Sequence, residues 1–185
     1  MTYQYISTQV HKLLKKYPGF SVKQILDAKD ILVLYRPMGN EKHSIKGFYL
    51  YNCRIHTIMV NSDLPEKLQT IILAHELGHV MLHKGSGVKC FHEVTPFDES
   101  SVMEKDANLF AAELLLRDED VLQALNSDCT FFDATAKLNV PPEMLDFKFR
   151  IMKWRGYKMM EAPITAESKF LKDLKVPEDP SWEGT

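Results

Sequence analysis

Cysteine is scarce in this 185-residue chain, and the three present, Cys53, Cys90 and Cys129, are odd in number and far apart, with no C-x-x-C pair. That excludes a secreted disulfide scaffold and points to a reduced, cytoplasmic setting. Long apolar runs are also missing. None approaches the roughly 18 residues needed to cross a bilayer. Residues 1–16 mix polar and apolar side chains, unlike a signal peptide. No membrane association is expected. Charge of either sign is not in excess: 23 Lys+Arg stand against 25 Asp+Glu, a net of -2, so the whole-chain balance argues for neither nucleic acid nor membrane binding. No internal repeat or low-complexity tract interrupts the sequence.

What remains is a composition able to build a core, 45% hydrophobic and 26% charged, at a length suited to one domain or one domain with a small appendage. Two features are uneven. Residues 1–60 carry nine Lys/Arg and three Asp/Glu, residues 61–140 carry six and fourteen, and residues 141–185 carry eight of each. His75, His79, His83 and His92 fall within 18 residues.

Ile6, Val10, Leu13 and Leu14 recur at helical spacing, and Pro18-Gly19 stops that helix. Residues 31–35, 47–51 and 55–60 are β-branched and apolar runs that read as strands, the last two joined as a hairpin near Asn52. A long helix follows, capped by Ser62 or Asp63, with Pro65 in its first turn and Gly85 at its end. The strand before it is expected to present an edge to which a substrate peptide adds. After a loop over 85–100, a second helix covers about 102–116, with Leu109, Ala112 and Leu116 facing inward. Shorter helices span about 119–125, 131–138 and 142–155. The link Asn139-Val140-Pro141 suits a helix-turn-helix-like corner. Beyond Pro163 the chain reads as a tail that is loose or ordered only on contact. These readings divide the chain into 1–117, a helical segment over 118–160 packed on it, and a tail over 161–185. The class is α+β, with a short antiparallel or mixed sheet on the long helix.

That helix carries His75-Glu76-Leu77-Gly78-His79. Positions i and i+4 share a helix face, so both imidazoles reach one metal ion. Glu76 points about 100° away around the axis, toward a water rather than the metal. The bland alternative is a pair of core or surface histidines. A catalytic zinc needs a third protein ligand and an open position. A histidine six residues after His79 is one solution, but Gly85 stands there. The other is a carboxylate from the next helix, with Glu93, Asp98, Glu99, Glu104, Asp106 and Glu113 as candidates. Glu104 is preferred because it begins that helix and has Asn108 one turn on, placed to hold a ligand by hydrogen bonding. Its competing role is a capping box with Ser101. Asp106 is the nearest rival. His83, one turn past His79, is a neighbour of the site, a reaction donor or a capping cation. Cys90 and His92 have no supporting spacing for a second metal site. Tyr49 and Tyr51 read as sheet packing.

The motif with Leu82-His83, and then Glu104-Lys105-Asp106-Ala107-Asn108-Leu109-Phe110-Ala111-Ala112-Glu113-Leu114-Leu115, resembles the ImmA/IrrE family of zinc metallopeptidases. The likeness covers about residues 45–117, and the helices up to Tyr157 are similar to that family's helix-turn-helix-like segment. It implies a small zincin fold, His75, His79 and Glu104 as zinc ligands and Glu76 as the catalytic glutamate. It also implies cleavage of a helix-turn-helix repressor that frees a phage, an integrative element or stress genes from repression. One departure is Leu116-Arg117, where the family usually places a small apolar residue and proline; this touches a helix end and not the metal ligands. Two competing classes are a non-proteolytic binding module and a toxin of a toxin–antitoxin pair. In the binding module, Arg150, Lys153, Arg155 and Lys158 would face protein or DNA, although four charges on one helix are more often a solvated face.

Overall fold

The computed structural model describes residues 1–41, 44–83, 99–125 and 129–173. Helix α1 spans Tyr3–Lys16. The Thr2 hydroxyl accepts from the Tyr5 N–H and satisfies one of the donors that a helix start leaves over. Its stripe of Ile6, Val10 and Leu13 is buried as its spacing requires. A second helix, α2 (Val22–Asp27), goes unannounced by periodicity because it is under two turns long. A reciprocal capping box holds it, with Ser21 and Gln24 each bonding the other's backbone N–H.

Strands β1 (Leu32–Arg36), β2 (Gly47–Asn52) and β3 (Ile55–Asn61) lie within a residue of the predicted runs. They form one mixed sheet in the order β1-β3-β2, with β3 parallel to β1 and antiparallel to β2. The expected edge is therefore displaced. The strand before the long helix is central and paired on both sides, and the edges are β1 and β2. The cause is the crossover through β2, which no local pattern reports.

Helix α3 (Glu66–Leu82) packs back across the sheet. Neither Ser62 nor Asp63 caps it. Pro65 occupies the cap position, and Asp63 instead accepts from the Gly39 N–H at 2.8 Å. His83 is the residue at its C-terminal end, and Gly85 falls outside the described residues. Nearly every residue from Leu68 to Leu82 is buried, because the sheet covers one side and α4 (Glu99–Leu115) the other. The close approach of α4 rests on Gly78: a Cβ there would lie 3.1 Å from Ala107 Cα and 3.2 Å from Ala107 O. Because α4 already runs from Glu99, Ser101 lies inside the helix and not at its cap position.

Helices α5 (Asp118–Leu125), α6 (Phe131–Leu138) and α7 (Pro142–Trp154) follow the predicted spans closely. Thr130 and Asp133 box the start of α6, and Asn139 turns its end in the left-handed region at φ 50°, which asparagine tolerates. α7 packs on α4 opposite α3. The stretch read as a tail is packed through α8 (Phe170–Asp173): Ala166, Phe170 and Leu171 are buried. Among the described residues no helix is long and apolar enough to cross a membrane.

The basic end foreseen on α7 is largely spent within the protein. Arg150 pairs with Asp146 and donates to the Ala166 carbonyl, Arg155 pairs with Asp118 and Glu113, and Lys153 sits 2.9 Å from Glu161. This leaves little of the basic stripe that a DNA interface needs.

Candidate metal centre

His75 and His79 are one turn apart on α3, and the helix itself brings their Nε2 atoms to 3.1 Å. Glu104, near the start of α4, reaches both: its Oε2 lies 3.3 Å from His75 Nε2 and its Oε1 3.4 Å from His79 Nε2. These three residues form the one group among the described residues whose ligating atoms, all within 4.8 Å of one another, suit a metal ion. Glu104, the carboxylate preferred from the sequence, is thus the one that lies beside both histidines among the described residues. Glu113 is turned away into a buried ion network, and Asp106 pairs at 2.8 Å with the Met1 amino group. Glu93 and Asp98 fall outside the described residues, as do Cys90 and His92.

The donor set fits zinc by geometry as well as chemistry. Ligand bonds of about 2.0–2.1 Å in a tetrahedron give ligand–ligand edges of about 3.3–3.4 Å. Here the two imidazole nitrogens are 3.1 Å apart, and a different Glu104 oxygen approaches each, Oε2 at 3.3 Å from His75 and Oε1 at 3.4 Å from His79, spacings close to such an edge. Two imidazole nitrogens and a carboxylate are borderline and hard donors of the kind zinc takes.

Burial sets the electrostatics. His75, Glu76 and His79 are 4%, 6% and 1% exposed. Burial pushes Glu76 up to about 7, with the Glu104 charge adding to the rise and His75 opposing it. Burial drives His79 down to about 4, against the hydrogen bond that its ring would donate to Glu104. For Glu104 burial works upward, yet the hydrogen bonds to His75 and His79 hold it well below the usual carboxylate range. Burial likewise opposes protonation of His75, but Glu104 outweighs it and the net shift is upward. Among the described residues the buried Glu76 Oε2 has no hydrogen-bond partner, so one oxygen of a carboxylate beside the candidate ligands is left over.

His83 is neither a ligand of this group nor a simple surface cap. Its ring lies 5.4 Å from that of His79, its Nε2 is 3.3 Å from the Met103 carbonyl oxygen, and burial lowers its pKa. Asn108 is fully buried beside His75, whose pKa its side chain raises.

The sheet contributes a pair that spacing alone did not single out. Tyr49 packs partly buried against the core, as expected, but its hydroxyl also lies 2.6 Å from His56 Nδ1. Both side chains are on the sheet face that carries Ile58 and Val60, the face toward α3. A Cβ on Gly47 would be 2.5 Å from Ile72, so β2 passes directly over that residue. α3 begins shortly after the end of β3 and packs on both β3 and β2. Two strand residues on from Gly47, about 6.6 Å, comes Tyr49; four helix residues on from Ile72, about 6 Å, comes Glu76. The signal available in the sequence was the two-residue step from Gly47 to Tyr49, meaningful only once the register is known.

Comparison with known proteins finds a family and two relatives. A family model described as the IrrE N-terminal-like domain matches residues 26–150. The chain is 35% identical over 146 residues to "Uncharacterized immunity region protein 2" of Bacillus phage phi105, covering 79% of this chain and 90% of that protein. It is 27% identical over 149 residues to "Metallopeptidase ImmA" of Bacillus subtilis (strain 168), covering 77% of this chain and 83% of that protein.

Proposed function

The chain belongs to the ImmA/IrrE family of peptidases, and from that premise we propose that it is a cytoplasmic zinc-dependent endopeptidase that cuts a helix-turn-helix repressor of a mobile element or of stress genes. The observation that carries the proposal is the cluster of buried His75 and His79 with partly exposed Glu104, and beside it the Glu76 oxygen that has no partner among the described residues. Phage immunity regions hold repressors, and a relative's printed name places it in one, which is what supports a repressor as substrate.

In this reading the fold is a small zincin, with α6 and α7 as a helix-turn-helix-like corner. His75, His79 and Glu104 hold zinc, which supplies a Lewis acid that polarises a peptide carbonyl and acidifies water. Glu76 accepts a proton from the attacking water and returns it to the leaving amine nitrogen. The edge strand β2 binds the substrate backbone as an added strand, which sets an extended peptide across the histidines. Tyr49, at the level of Glu76 on that edge, donates its hydroxyl proton to the oxygen on which charge develops. His56 holds the ring so that the hydroxyl faces the cleft.

Metal analysis of the purified protein, together with incubation with the repressor encoded beside it, tests the proposal. Wild type is expected to hold about one zinc and to cut the repressor once, while Glu76→Gln keeps the zinc and does not cut. Cutting by Glu76→Gln at the wild-type rate defeats the mechanism, and a zinc-free wild type that shifts DNA in a salt-dependent way favours the binding-module alternative.

A further inference from the structure

Asn108 lies in α4 one turn after Glu104 and is fully buried. Its Nδ2 donates to the Ser168 carbonyl oxygen at 2.6 Å. A carbonyl only accepts, so this bond decides which end of the amide faces it and leaves Oδ1 pointing elsewhere. That Oδ1 is buried and has no partner among the described residues, and neither has Nδ1 of the neighbouring His75. Two complementary buried atoms, an acceptor and a ring nitrogen, are thus left over side by side in a place where an unmade bond is costly.

Ser168 belongs to a segment that is itself firmly held. The Ala166 N–H donates to Asp146 at 2.9 Å, and Arg150 of α7 donates to the Ala166 carbonyl at 2.8 Å. Phe170 is buried with its ring 5.7 Å from that of Phe147. The segment lies beyond residue 150, where the match to the family domain ends, while Asp146, Phe147 and Arg150, which hold it, lie within that match.

We infer that the segment 164–171 is a strap that positions the metal centre. The Ser168 carbonyl orients the Asn108 amide, whose Oδ1 accepts from the His75 Nδ1–H. That fixes His75 in the tautomer whose Nε2 lone pair faces the metal. Asn108 is a positioning residue, and the strap acts through it. The inference rests on His75 being a zinc ligand. The bond from a ligating histidine to an outer acceptor is worth about 10- to 100-fold in metal affinity where it has been removed.

The test is zinc affinity of the full chain, measured by competition with a chromophoric chelator, with the fold of each variant checked by circular dichroism. Asn108→Ala is expected to bind zinc about 10- to 100-fold more weakly. Phe170→Ala, which loosens the strap far from the ligands, is expected to lose about tenfold, the low end of that range. Asn108→Asp is expected to stay within a few-fold of wild type, because a carboxylate has two acceptor oxygens and no donor end to misplace. For the same reason the double variant Asn108→Asp/Phe170→Ala is expected to recover the affinity lost by Phe170→Ala. In nitrogen-15 spectra of the zinc-loaded protein, the His75 Nδ1 proton should be protected from exchange in wild type and exchange fast in Asn108→Ala and Phe170→Ala. Zinc binding that His75→Ala loses but Asn108→Ala and Phe170→Ala keep within twofold overturns the strap inference alone. A double variant as weak as Phe170→Ala overturns it too, since the strap would then act by another route. Equal zinc binding by wild type and His75→Ala overturns the metal centre and the strap together.

Discussion

Gly78→Ala is the smallest change that tests how the two ligand-bearing helices are spaced. The added methyl would lie 3.1 Å from Ala107 Cα, 3.2 Å from Ala107 O and 3.2 Å from Phe110 Cβ, where ordinary contact begins near 3.4 Å. Two of these atoms are backbone, and Ala107 and Phe110 are both wholly buried, so neither can swing aside. α4 must therefore move off α3 by a few tenths of an ångström. Alanine in a helix interior gains about 1 kcal/mol over glycine from propensity. Overpacking costs about 1–3 kcal/mol, so the balance falls at about 1 kcal/mol of lost stability. For a chain of this size that is a drop in Tm of about 2–4 °C. The same shift carries Glu104, less than one turn before Ala107, away from the histidines. A workable zinc site tolerates about 0.2 Å, so zinc affinity should fall severalfold. Thermal melts of the zinc-free protein and a chelator competition measure the two effects. A Tm raised by 2–4 °C with unchanged zinc affinity refutes the argument, because the propensity gain would then be the whole effect.

Tyr49→Phe should lower kcat of repressor cleavage by about 10²-fold, with KM within a few-fold, as removal of one oxyanion donor does; a change in KM alone would reduce Tyr49 to packing. Lys148, 2% exposed at its side chain, lies 2.8 Å from Glu113 and 2.6 Å from Asp118. Lys148→Met should cost about 3 kcal/mol in urea unfolding, the low end for breaking a buried pair because Arg155 still faces both carboxylates. Adding Glu113→Leu should recover most of that loss, and a double variant no more stable than the single would contradict the assignment. Asp118 has its pKa lowered: burial works upward, but Lys148 and Arg155 outweigh it. A depressed carboxylate stabilises the fold above its unfolded value near 3.8 and loses that contribution as pH falls through the folded value. The stability gap between wild type and Asp118→Asn should therefore narrow from pH 6 to pH 3, and a constant gap in urea midpoints would refute it.

Local chemistry made much of this protein legible before any coordinates. The pairing of His75 with His79 follows from spacing on one helix face, with Glu76 about 100° around it, and α6 and α7 follow from their apolar spacing and the corner Asn139-Val140-Pro141. Glu104 was the best placed of six carboxylates, and the interhelical approach at Gly78 is what brings it to the histidines. What stayed hidden depends on long-range partners. Asp63 looked like a cap but is used by the Gly39 N–H, 24 positions away. The order β1-β3-β2 and the Tyr49–His56 bond need the strand register. Residues 164–171 carry too few apolar positions to show a period, yet Ala166, Phe170 and Leu171 are buried against elements far back in the chain. The basic end of α7 looked solvated because Glu113 and Asp118, the partners of Arg155, are brought there only by the fold, whereas Asp146 is a local partner four residues before Arg150.

Helix α4 explains why a buried ion network is kept at all. Glu104 and Asn108 lie within about 40° of one another around its axis, while Glu113, nine residues on from Glu104, falls about 180° away. One side of α4 thus serves the metal centre and the other meets Ser7, Lys148 and Arg155. An apolar set of the same volume would hold α4 as well or better, because burying charges costs solvation. Apolar contacts, however, leave a helix free to slide or roll by small amounts, whereas charged hydrogen bonds have one good length and direction. A ligand carboxylate must be placed to about 0.2 Å. The network on the far side supplies that registration from α1, α5 and α7, and the strap supplies it again at Asn108. The helices beyond the ligands therefore act on the site through the position of α4, which is where variation in metal affinity between otherwise well-folded variants should arise.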